Sequence, residues 1–162
     1  MTILGIDPGT ATTGYGLVRE NASGQPEAVA YGVITTPAGL PMPERLVLIY
    51  QELKQIILLH RPASSAVEKL FFHRNVTTAI AVGQARGVVL LALAEAGISV
   101  FEYTPLEVKQ AAVGYGNAEK KQVQMMMKAL LNLEDIPRPD DAADALAIAF
   151  CHLNSLRFRS LT

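Results

Sequence analysis

The spacing of hydrophobic positions changes its period along the chain. Ile3-Leu4-Gly5-Ile6 is a short apolar run that ends at Asp7, and Asp7-Pro8-Gly9-Thr10 has the composition of a tight turn. From Gly14 to Glu20 the pattern alternates, with Tyr15, Leu17 and Arg19 on one face of an extended segment. The turn-forming residues Asn21 to Pro26 lead into a further β-rich run, Ala28 to Thr35. Three strands joined in this way predict an antiparallel meander.

Beyond Pro41 and Pro43 the period lengthens. Leu46, Ile49, Tyr50, Leu53, Ile56 and Ile57 recur at helical spacing up to the break at Pro62. Ser64 to Leu70 reads as a buried strand carrying Glu68. Asn75 to Ala96 reads as a long helix of Ala, Val and Leu closed by Gly97, and Ile98 to Tyr103 as a fifth strand. Three helical segments follow, Pro105 to Val113, Asn117 to Leu131 and Asp140 to about Leu156, the last two separated by Pro137 and Pro139. The order βββαβαβααα predicts an α/β fold with a mixed sheet, antiparallel in part and otherwise joined by crossover helices. No repeat or linker divides the chain, so residues 1–156 are expected to form one domain, with 157–162 a short C-terminal tail.

Composition narrows the class. The chain has 162 residues, half of them hydrophobic, enough for one well-buried core. Lys and Arg number 14 against 15 Asp and Glu, which excludes a strongly basic nucleic-acid binder and an acidic disordered chain. The single cysteine, Cys151, excludes an internal disulfide framework. The expectation is a soluble intracellular protein with no membrane partner: the opening apolar run is too short for a leader, and Glu95 interrupts the apolar segment near Gly87 to Ile98.

Candidate chemistry lies in the acids. Asp7 ends an apolar strand, Glu68 follows Ala66-Val67 in another, and Asp141 and Asp144 open a helix that is otherwise Ala, Leu, Ile and Phe. Their i, i+3 spacing places the two aspartates on one helix face. Asp140, after Pro139, reads instead as an N-cap. Carboxylates in such apolar segments cost several kcal/mol each unless neutralised. Hard divalent cations neutralise them and leave room for phosphate oxygens, and a pair of ions serves phosphodiester hydrolysis.

These residues resemble the RuvC family of Holliday-junction resolvases. The resemblance runs through Gly5-Ile6-Asp7-Pro8-Gly9-Thr10 with Gly14-Tyr15-Gly16, then Ala66-Val67-Glu68-Lys69-Leu70-Phe71, then Gly83-Gln84-Ala85-Arg86-Gly87. It continues through Val108-Lys109-Gln110, Ala118-Glu119-Lys120 and Asp141-Ala142-Ala143-Asp144-Ala145-Leu146-Ala147. It implies a ribonuclease H-like fold, a five-stranded mixed sheet with helices on both faces. It further implies paired, symmetric nicking of four-way DNA junctions in recombination and repair by a bacterial cytoplasmic homodimer beside RuvA and RuvB. Asp7, Glu68, Asp141 and Asp144 are then the catalytic, metal-binding acids, with two Mg²⁺ per site and Mn²⁺ able to substitute. Some relatives carry His where this chain has Asp141.

The same resemblance makes Lys109 and Lys120 DNA contacts; they frame Gly114-Tyr115-Gly116 together with Lys121. It also favours Phe71 for stacking on unpaired bases, with Arg74 on a phosphate, and assigns the dimer interface to the long helix at 76–96. His60 and His152 read as surface or internally satisfied histidines.

Two other function classes remain open to test. The Gly-Ile-Asp-Pro-Gly-Thr segment also opens sugar kinases and actin-like ATPases, but those need two lobes, and this length provides one. A non-catalytic junction-binding module would be expected to lose an acid, and all four are present. With those four set aside, 14 basic face 11 other acidic side chains. The near-neutral charge thus hides an acidic pocket in a modestly basic protein, and metal-free protein is expected to bind DNA more weakly unless Asp7 or Glu68 is neutralised.

Overall fold

A computed structural model describes residues 1–70 and 75–160. The strands are β1 (Thr2–Asp7), β2 (Thr12–Glu20), β3 (Pro26–Thr35), β4 (Ser64–Glu68) and β5 (Ser99–Tyr103). The helices are α1 (Met42–His60), α2 (Val76–Glu95), α3 (Pro105–Val113), α4 (Lys120–Leu130) and α5 (Asp140–Ser160). They form one sheet in the order β3-β2-β1-β4-β5. The first three strands pair antiparallel, and β1, β4 and β5 run parallel. This is the expected mixed sheet.

Alternation along β1 divides the core into two layers. Leu4 and Ile6, with Leu17 and Val67, pack against Ile49 and Leu53 of α1 and Val89 and Leu93 of α2. Ile3, Val18 and Ala66 face Leu146 and Phe150 of α5, together with Val108 of α3 and Met127 of α4. A period of two puts Gly5 and Asp7 on the same face as Ile3, and Glu68 on the same face as Ala66. Both strand acids therefore lie on the α5 side of the sheet.

Helix α5 approaches that face closely because the face has almost no side chains where the helix crosses. A Cβ added to Gly5 would lie 2.1 Å from the Ala145 carbonyl oxygen, and one added to Gly16 would lie 2.7 Å from the Leu146 nitrogen. Gly5 and Gly16 are register partners on adjacent strands, as are Asp7 and Gly14.

Helix boundaries depart from the sequence reading in three places. Helix α5 runs on to Ser160, beyond the expected end at Leu156, and Arg157 ties it to Glu20 and to the Gly24 carbonyl. Asp140 is not the N-cap. The Pro139 carbonyl accepts the first helical bonds, from Ala142 and Ala143, so Asp140 is already in the first turn. Helix α4 starts at Lys120 rather than Asn117, and Gln122 Oε1 accepts from the Glu119 N–H at 2.8 Å.

The two layers differ in polarity. His152 is buried in α5, where Ser64 Oγ lies 3.0 Å from its Nε2 and the Tyr103 hydroxyl 2.7 Å from its Nδ1. Phe101 stacks on the ring at 4.3 Å between centroids. Burial, with the Arg159 charge, pushes His152 down to about 4, so the ring is neutral at physiological pH. The internally satisfied histidine is thus a neutral link from α5 to β4 and β5.

Candidate active site

The C-terminal ends of β1 and β4 and the first turns of α5 converge on a cavity of about 290 Å³. Asp7, Glu68 and Asp144 line it together with Lys109 of α3 and Lys120 of α4, and Val108, Val123 and Ile148 are its apolar walls. One carboxylate oxygen from each of Asp7, Asp141 and Asp144 lies within 4.8 Å of the others. The i, i+3 expectation for the helix pair therefore holds in space. Glu68 faces the same cavity beside that triad.

The turn after β1 is fixed locally. Thr13 Oγ1 donates to the Gly9 carbonyl at 2.6 Å and accepts from the Gly9 N–H at 3.3 Å, so Asp7 leaves the sheet in a defined direction. On the facing helix, Gly14 determines how near Asp141 can come. A Cβ at Gly14 would lie 2.0 Å from the Asp141 carbonyl oxygen.

The acids destabilise one another's charged forms. Burial pushes Asp7 up to about 8, reinforced by the charges of Asp144, Asp141 and Glu68. Glu68 is raised by burial and then by Asp144, with Lys109 and Lys120 opposing. Burial also raises Asp144, against the pull of Lys120. Asp7 thus holds a proton at neutral pH that a cation would displace.

A hard divalent cation suits this donor set. The ligands are all carboxylate oxygens that converge within one ion's reach, and the raised proton affinity of Asp7 reflects burial together with uncompensated negative charge around it. Lys120 places a positive charge beside these acids. Its Nζ lies 3.0 Å from Asp144 Oδ2 and 3.5 Å from Asp140 Oδ2. Burial pulls the Lys120 ammonium down, and Asp144 and Asp140 outweigh it, leaving the group above its ordinary value. Lys120→Gln should therefore bind Mn²⁺ about tenfold more tightly in the absence of DNA, an order-of-magnitude figure for removing one nearby half-screened charge. Titration calorimetry gives the comparison, and equal or weaker affinity would show that Lys120 does not compete with the ion.

Sequence reasoning located Asp7, Glu68, Asp141, Asp144, Lys109 and Lys120 in segments that the fold brings to one cavity. Phe71 and Arg74 lie outside the described residues. Gly114 is the left-handed C-cap of α3 (φ 92°), and at the start of α4 Gln122 Oε1 accepts from the Glu119 N–H. Sequence reasoning missed the glycine floor under α5 and the role of Asp140 as a partner of Lys120 and Gln124. The signal for the floor was present in Gly14-Tyr15-Gly16, because residues two apart on a strand share a face.

A ribonuclease H-like sheet with carboxylates gathered at the ends of its first and fourth strands and on a crossing helix defines a metal-using nuclease. Comparison with known proteins gives the family. Residues 3–152 match the profile of crossover junction endodeoxyribonuclease RuvC. The enzyme of that name from Syntrophomonas wolfei is 59% identical over 160 residues, covering 99% of this chain and 92% of the relative. The structure of Thermus thermophilus RuvC in complex with a Holliday junction substrate superposes with a TM-score of 0.92 at 38% identity, over 99% of this chain and 97% of that one. The yeast mitochondrial Holliday junction resolvase shares the fold at 15% identity and a TM-score of 0.63. The chain belongs to the RuvC family of crossover junction endodeoxyribonucleases.

Proposed function

We propose that this protein resolves four-way DNA junctions by symmetric nicks in two strands, with Asp7, Glu68, Asp141 and Asp144 as its catalytic acids. The observation that carries the reading is the gathering of Asp7, Asp141 and Asp144 oxygens within 4.8 Å, beside a cavity that Asp7 and Asp144 line together with Glu68 and two lysines. Asp7, Glu68, Asp141 and Asp144 would together hold two Mg²⁺ or Mn²⁺ ions. When bound, the ions supply Lewis acidity for phosphodiester hydrolysis. Asp7 gives up its proton on loading, and Lys109 and Lys120 hold the scissile phosphate against the acidic floor. Phe71 stacking on an unpaired base and Arg74 on a phosphate complete the proposed DNA contacts.

Paired nicks need two sites, and α2 offers a face for a second copy. By length and hydropathy α2 could cross a membrane, with a mean hydropathy of 1.6. However, Ala85, Val89, Ala92 and Leu93 bury it against the sheet and α1. On the remaining side Val76, Ile80 and Leu91 are exposed, and Gly83 and Gly87 fall on the same stripe. A Cβ at Gly87 would meet nothing within 4 Å, so the stripe admits close approach of a partner helix. A homodimer through this stripe, acting in the bacterial cytoplasm beside RuvA and RuvB, completes the proposal.

The test is cleavage of a synthetic four-way junction with each strand labelled in turn. Nicks in two opposed strands are expected in Mg²⁺ and none in chelator. Junction binding without nicks in Mg²⁺, or nicks in chelator, would overturn the reading.

A further inference from the structure

Beyond the cavity, the molecule has a second charged feature. A groove of about 780 Å³ begins where Lys120 and Asp141 leave the catalytic site, and it continues between α4 and the 131–139 segment past Lys121 and Arg138. A further hollow of about 550 Å³ shares Ile136 and Arg138 with it and ends at Lys128 and Tyr31. The two form one continuous trough leading away from the acids.

The pairing of charges across the molecule is uneven. On other surfaces four basic side chains are paired with acids: Arg19 with Glu27 at 2.7 Å, Arg86 with Glu102 at 3.2 Å, Lys54 with Glu95 at 3.6 Å, and Arg157 with Glu20. Lys121, Arg138 and Lys128 have no ion-pair partner among the described residues, and Lys121 and Arg138 are exposed. Of the acids in the trough, Asp140 is held by Gln124 at 2.9 Å and by Lys120, and Asp141 belongs to the catalytic triad. Asp135 is the remaining acid, at the far end.

The spacing suits a polyanion. Lys121 and Lys128 are seven residues apart on α4, which puts them on one face, about 10 Å apart along the axis. One DNA strand advances about 3.4 Å per phosphate along its axis, so the two lysines span about three phosphates. Tyr31 adds a hydroxyl donor at the far end.

From this we infer that the trough is a second DNA site, holding about three phosphates of the backbone of one junction arm through Lys121, Arg138 and Lys128. The inference rests on the junction-resolving reading proposed above. It makes these residues positioning contacts: they set where the arm lies relative to the acids and read no base.

Junction binding by the full-length Asp7→Asn chain, without divalent ions so that no strand is cut, supplies the test. The triple variant Lys121→Ala, Lys128→Ala, Arg138→Ala should lower the slope of log affinity against log salt by about 3 for each trough engaged. The charge-keeping set Lys121→Arg, Lys128→Arg, Arg138→Lys should retain the slope. Uncharged methylphosphonate linkages stepped outward along the arm from the cut should weaken the parent over a run of about three phosphates and leave the triple alanine variant unaffected there. An unchanged slope, or equal weakening of both chains by the neutral linkages, would overturn the trough. A parent that fails to bind junctions at all would instead overturn the junction-resolving reading.

Discussion

Asp7→Asn should abolish junction cleavage, by at least about 10³-fold, and still bind junctions at least as tightly as the parent does without metal. The first part follows from position. Asp7 is the acid that meets Asp141 and Asp144 within 4.8 Å and feels Glu68 as well. Replacing its carboxylate with an amide removes a charged ligand of the proposed ions, and several kcal/mol of lost charge stabilisation correspond to a loss of this size. The second part follows from charge, because the amide removes one negative group from the surface that must face phosphates. Gel-based cleavage and fluorescence anisotropy on the same four-way junction measure both. Cleavage within tenfold of the parent in Mg²⁺ would remove Asp7 from the mechanism.

The same substitution should stabilise the metal-free protein, increasingly so as pH rises. Asp7 ionises near 3.8 when unfolded and holds its proton to about 8 when folded, mainly because of burial. Between these values the native state binds one more proton than the unfolded state, so stability falls as pH rises through that window. The amide of the Asp7→Asn chain has no such proton to lose. The Tm advantage of the variant should therefore be near zero at pH 4 and reach at least about 5 °C at pH 8, at about 2–4 °C per kcal/mol for a chain of this size. His152 acts in the opposite direction, costing stability as pH falls from 6.5 towards about 4, but it is common to both chains and cancels. Added Mg²⁺ should reverse the order by stabilising the parent alone. A Tm difference independent of pH would contradict the raised proton affinity of Asp7.

How much of this was legible in the sequence depended on range. Strand and helix types followed from period, as with Ile3 to Asp7 and the Leu46 to Ile57 repeat, because burial on one face imposes that period directly. The four acids stood out because each interrupts an apolar segment, a local contrast. What failed to show were pairings between distant segments. Nothing near Asp140 indicates that Lys120 and Gln124 will reach it, and nothing near Arg138 indicates that it will continue a groove begun by Lys120. Segment ends were also indistinct. Asp140 looked like an N-cap by residue type, but the Pro139 carbonyl takes that place, since a proline can accept the first helical bonds without needing an N–H of its own. Helix α5 outran its apolar pattern because Arg157 anchors its last turns to the β2–β3 turn.

The glycine floor gives the other large expected effect. Gly14→Ala should lower cleavage by at least about 10²-fold although the residue has no side chain and touches no substrate. An added Cβ would lie 2.0 Å from the Asp141 carbonyl oxygen and 2.4 Å from its carbon, both backbone atoms that cannot rotate away. The first turn of α5 must then move by about 1 Å or more, and it carries Asp141 out of reach of Asp7 and Asp144. A misplacement of that size costs about 10²-fold in a positioned reaction. The overpacking itself should cost about 1–3 kcal/mol of stability, so the variant remains folded and its loss of Mn²⁺ affinity can be measured by calorimetry alongside cleavage. Gly39→Ala, at a position where an added Cβ meets nothing within 4 Å, is the matched control and should change neither. If Gly14→Ala cleaved within threefold of the parent, the helix would not lie as close to β2 as Asp141 requires, and the acid cluster would have to be assembled in another way.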